Sequence, residues 1–82
     1  MSKSIHTRPY RIFTQLLAQL RIDARVTQSQ LADKLGVPQS RISKVEIGER
    51  RLDVVELRTW CRALDASIED FVGHLEKLLK KG

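Results

Sequence analysis

"LADKLGVPQSRISKVE", residues 31–46, sets a glycine and a proline inside a pattern that otherwise reads as unbroken helix. Leu31 and Leu35 recur at helical spacing before the break, and Ile42 and Val45 after it. Gly36 suits the left-handed conformation that a helix C-cap needs. Pro38 stops the first helix from continuing and suits the start of the next. The stretch therefore predicts two short helices joined by a tight turn, with Val37 as the apolar residue inside it. That is a helix-turn-helix.

The flanking sequence supplies three more helices. Pro9 suits the first turn of a helix, and Tyr10, Phe13, Leu17 and Leu20 follow on one face, out to about Ala24. Thr27 and Gln30 have the spacing of a capping box for the second helix, and Leu31, Ala32 and Leu35 form its inner face. After Gly48 and a charged loop, Asp53 and Glu56 repeat the capping-box spacing. Leu57, Trp60, Cys61 and Leu64 then make an inner stripe. Ser67 caps a fifth helix carrying Ile68, Phe71, Val72, Leu75, Leu78 and Leu79, which ends in Lys80 and Lys81. The first eight residues are polar and are expected to form a flexible arm, leaving residues 9–82 as one all-α, five-helix domain.

Charge is unevenly spread. Residues 1–51 hold ten Lys/Arg against four acids, a net of +6, and residues 52–82 hold five against six, a net of −1. A cationic unit joined to a nearly neutral one points to an anionic partner on one side. The third helix sharpens this. With Ile42 and Val45 inward, it turns Gln39, Ser40, Arg41, Ser43 and Lys44 outward, with no acid before Glu46. A helix presented in this way fits the DNA major groove.

With these features in place, "TQSQLADKLGVPQSRISKVEIGERR" resembles the helix-turn-helix of the lambda repressor and Cro family of small bacterial and phage regulators, including controller-type proteins. The shared features are "TQ" opening helix two, "LA" within it, "LGV" at the turn, "IS" inside helix three and "E-x-G" closing it. The likeness runs from about Leu16 to Val72. Two positions depart from the family pattern. Ile47 stands where Asn is common, and Arg25 stands where Gly often ends helix one, which implies a differently shaped loop or an extra phosphate contact.

The resemblance implies base contacts from Gln39, Ser40, Ser43 and Lys44. The chemistry agrees: Gln pairs bidentately with adenine, Lys donates to guanine, and Ser is permissive. It implies a phosphate contact from Gln28, at the N-terminus of helix two. Arg41, Arg50 and Arg51 are further candidates for phosphate. Arg21 and Glu46 stand where the family often joins helix one to the end of helix three by a salt bridge. Phe71, Leu75 and Leu78 continue an apolar stripe past what the core needs, so they are the candidate dimer interface, with Ile68 and Val72 left to close the core.

The expected function is a transcriptional regulator that binds DNA as a homodimer on a palindromic operator. An antitoxin-type protein-binding module with secondary DNA binding is the alternative. Cys61 is alone and reads as a small buried residue, and Trp60 reads as core. His6 and His74 lack companions at ligand spacing, so no metal or cofactor is expected. No nucleophile, carboxylate pair or phosphate loop marks an enzyme, and no small-molecule site is evident. No run is long enough to span a membrane, and no signal peptide is visible, so a cytoplasmic protein is expected.

Overall fold

The computed structural model describes residues 7–81. They form five helices: α1 (Arg8–Asp23), α2 (Gln28–Leu35), α3 (Gln39–Glu46), α4 (Val54–Ala63) and α5 (Ile68–Lys80). Among the described residues there is no strand, and no helix is long and apolar enough to cross a membrane.

The helix starts follow from their side chains. Thr27 and Gln30 close a reciprocal capping box on α2, and Asp53 and Glu56 close one on α4. Ser67 accepts the Asp70 amide at the start of α5. Each such cap satisfies an amide that would otherwise lack a partner, and contributes about 1 kcal/mol. Thr7 caps α1 by accepting the Tyr10 amide, and the helix begins at Arg8. Thr7 is therefore the cap of α1 and Arg8 its first residue, and the rest of the expected arm, residues 1–6, lies outside the described residues. Pro38 precedes α3 as its extended N-cap residue, with φ −66° and ψ 150°.

The turn between α2 and α3 depends on Gly36, which sits at φ 69° and ψ 34°. Its amide donates to the Asp33 carbonyl, and the Val37 amide donates to the Ala32 carbonyl. A Cβ at Gly36 would meet nothing within 4 Å. Glycine is favoured there by dihedral angle, not by crowding. Two further helices end on left-handed residues that are not glycine: Arg25 (φ 61°) after α1 and Asp65 (φ 56°) after α4.

The core draws on every helix. Leu17, Leu31, Ile42, Val45 and Cys61 are fully buried, joined by Ala32, Leu57, Trp60, Leu64 and Phe71. Ala32 is small enough to let α3 come close to α2. Desolvation pushes the Cys61 thiol pKa up, which fits an inert core position.

Phe71 corrects the expectation for α5. It is only 4% exposed and meets Phe13 edge-on, with ring centroids 5.9 Å apart. Val72, assigned above to the core, is 46% exposed. The helix is rotated by about one residue from the expected setting, because the two phenylalanine rings fill the space between α1 and α5. Leu75 and Leu78 remain half-buried.

Candidate nucleic-acid interface

Helix α3 is anchored from below by Ile42 and Val45. At about 3.6 residues per turn, the opposite side is a row of Ser40, Ser43, Lys44 and Ile47. Ser40 and Lys44 are exposed, Ser43 is half-buried, and Ile47 is 65% exposed. Ile47 was not among the expected contacts. Its place, one turn beyond Ser43 and Lys44, could have revealed it as part of the same face. Gln39 and Glu46 lie on the flank toward α2, and Arg41 lies on the other flank.

A hydrogen-bonded chain crosses the motif. Arg21 Nε donates to Glu46 Oε2 at 2.7 Å, and Arg21 Nη2 donates to Glu46 Oε1 at 3.1 Å. The pair joins the end of α1 to the end of α3, with the two side chains 13% and 6% exposed. Arg21 Nη1 also donates to the Val26 carbonyl at 2.8 Å. The hydrogen bond that Arg21 donates to Glu46 outweighs desolvation and raises the Arg21 pKa above its ordinary value. The guanidinium therefore stays charged at any working pH.

The chain continues to the recognition helix. Gln28 Nε2 donates to Glu46 Oε1 at 2.9 Å, and Gln39 Nε2 donates to Gln28 Oε1 at 2.7 Å. The direction of these bonds is fixed from one end. The Glu46 carboxylate, facing a guanidinium, only accepts, so Gln28 must turn its NH2 toward it. That leaves the Gln28 carbonyl to face Gln39, which must in turn give one N–H. Gln39 keeps its carbonyl oxygen and its second N–H, a matched acceptor and donor. This is the pattern that adenine's N6 amino group and N7 complement in the major groove. Gln28 is therefore a link in the chain, with a second N–H still uncommitted.

The arginines differ. Arg41 is half-buried on the flank of α3. Arg50 stands 3.6 Å from Glu56 Oε2 across a half-exposed pair. Arg51 lies over the Tyr10 ring, 5.0 Å from its centroid. This cation–π contact places Arg51 beside the start of α1, away from the Gln28–Gln39 flank, and ties it to its own chain. Among the described residues, no group of three or more His, Cys, Asp or Glu could hold a metal ion.

A helix-turn-helix family model matches residues 17–71, from the middle of α1 into α5. An XRE-family like protein from Pseudomonas syringae pv. tomato is 41% identical, with a TM-score of 0.83 over 93% of each chain. The restriction-modification controller protein C.Esp1396I shares the fold at 23% identity, with a TM-score of 0.83 over 94% of this chain and 100% of that one. The same controller protein, as a tetramer in complex with its natural 35 base-pair operator, is similar at 24% identity and a TM-score of 0.78, covering 88% of this chain and 95% of that one. No curated protein sequence matches the chain.

Proposed function

Because the chain belongs to the XRE-type helix-turn-helix family of DNA-binding regulators, we propose that it recognises a specific operator and controls transcription there as a homodimer. The observation that carries this reading is the chain Arg21–Glu46–Gln28–Gln39. It spends a largely buried ion pair on fixing one exposed amide at the start of α3. A structural core does not need that amide to have a fixed direction. A base reader does, because discrimination depends on which edge, donor or acceptor, meets the base.

In this reading α3 enters the major groove. Gln39 meets adenine, Lys44 donates to guanine, and Ser40 and Ser43 make permissive contacts. Gln28, Arg41 and Arg50 sit at the margins and meet phosphate, which sets register without selecting sequence. The excess of five positive charges supports an anionic partner, and the fold is that of a controller protein solved on its operator. A two-fold dimer would set two copies of α3 about 34 Å apart, one turn of DNA, and so call for a palindromic site.

Selecting bound duplexes from a random pool tests the proposal. The expected result is a short inverted repeat with an adenine in each half-site that Gln39→Ala no longer selects. A pool that stays random after repeated selection would refute sequence-specific binding.

A further inference from the structure

Arg25 occupies a position that its own backbone does not favour. It closes α1 at φ 61°, in the left-handed region where a side chain adds strain and glycine adds none. Its side chain is exposed, and among the described residues no ion pair or hydrogen bond engages its guanidinium. Among the described residues, nothing therefore accounts for an arginine there.

Its mounting is rigid. The Arg25 amide donates to the Ile22 carbonyl at 2.9 Å, and the Val26 amide donates to the Arg21 carbonyl at 3.2 Å. The carbonyl of Val26, the next residue, is held by Arg21 Nη1, and the same guanidinium grips Glu46 at the end of α3. The loop that carries Arg25 is thus tied through one side chain to the recognition helix. It also lies two residues before Thr27, the cap of α2, and three before Gln28, which reaches Gln39. The backbone that carries this cation is tied to the residues proposed to read the bases.

We propose that Arg25 is a phosphate clamp: when α3 occupies the major groove, its guanidinium holds a DNA backbone phosphate at the α1–α2 edge of the motif. The role is to position, not to read sequence. It rests on the DNA-binding reading above and adds to it a contact from outside the two helices of the motif. The left-handed backbone is kept at some cost because the side chain is used outside the chain.

The test compares the unmutated protein with Arg25→Gly and Arg25→Lys, titrated with a fluorescein-labelled mixed-sequence duplex over a series of salt concentrations. Glycine suits the left-handed angle, so Arg25→Gly keeps or raises the melting temperature and the folding control is built in. It is expected to weaken binding roughly three- to tenfold at low salt and to reduce the slope of log affinity against log salt by about 0.9, one phosphate contact. Arg25→Lys should keep that slope. An Arg25→Gly protein that matches the unmutated affinity and slope overturns the clamp, as does an Arg25→Lys protein that falls as far as Arg25→Gly. If the unmutated protein itself shows no salt-dependent binding, the DNA-binding reading fails, and the clamp with it; a steep unmutated slope that Arg25→Gly leaves unchanged removes the clamp alone.

Discussion

Glu46 Oε1 receives two hydrogen bonds from different helices, one from Arg21 on α1 and one from Gln28 on α2, while Glu46 itself ends α3. Three helices therefore meet at one carboxylate that is almost fully buried. Removing either charge leaves the other without its partner, which costs more than the pair contributes. Arg21→Ala should lower unfolding free energy by about 2–3 kcal/mol, the scale of lost hydrogen bonds to a charged group. Glu46→Ala should do the same. In a double-mutant cycle followed by denaturant unfolding, the two should couple by about 1–3 kcal/mol. Strict additivity would mean that the pair does not hold the motif together.

Gln39 should give specificity and Gln28 should refine it. Gln39→Ala is expected to cost about 1–3 kcal/mol on the best duplex and to relax the preference for adenine at one position. Gln28→Ala leaves Gln39 in place but frees its amide to rotate, so the loss of discrimination should be smaller and confined to the same position. Fluorescence titrations against duplexes that differ at each base in turn would separate these effects. An equal loss on every duplex for Gln39→Ala would assign it to phosphate.

Lys44 and Arg50 provide the contrast between reading and clamping. Lys44 is exposed on the outward row of α3, whereas Arg50 follows the helix and shares its charge with Glu56. Lys44→Ala should cost about 1–3 kcal/mol on the best site and alter preference at one base pair. Arg50→Ala should weaken all duplexes alike. The loss should be modest, because an exposed arginine already near a carboxylate gives up part of its interaction on binding. The same set of single-base duplexes decides between the two, and interchanged patterns would reverse the assignments.

The starts of α2, α4 and α5 were legible because each is written locally. Thr27 with Gln30, and Asp53 with Glu56, are three residues apart, and a capping box needs nothing from elsewhere in the fold. The turn was legible because Gly36 permits the left-handed backbone that ends α2 and Pro38 restricts the backbone that starts α3. The setting of α5 was not. Phe71 and Val72 are adjacent and both apolar, so periodicity alone leaves their order open. Phe13, far away in sequence, decides it by taking Phe71 as its edge-on partner. The Gln28–Gln39 bond was hidden for a related reason. Both residues could be nominated for DNA, but only the three-dimensional position of Glu46 shows that one orients the other.

Self-association is expected to run through α5. Phe71 is spent on the core, but the helix still carries more apolar surface than the chain covers. Val72 is 46% exposed. Leu78 is half-buried beside Ile12 and Leu16 of α1. Leu75 is half-buried too, lining a groove with Leu79 and with Val54, which is 69% exposed at the start of α4. Burying a fully exposed valine or leucine gains about 1.5–3 kcal/mol, and these half-exposed side chains keep about half of that for a second copy, counted twice by a two-fold axis against the entropy of association. Leu75 also touches the groove formed by Tyr10, Phe13 and Leu57, so a charge there would loosen the monomer as well. Val72 is the cleaner probe, because little of it contacts its own core. Val72→Asp should leave the melting profile of the monomer nearly unchanged, shift the protein toward monomer in sedimentation velocity, and weaken binding to a full inverted repeat far more than to a half-site. Leu78→Asp should act in the same direction, with some loss of stability. A protein that sediments as a monomer without mutation, at the concentrations where it binds a full inverted repeat, would refute the α5 interface, as would a Val72→Asp and Leu78→Asp double variant that still dimerises.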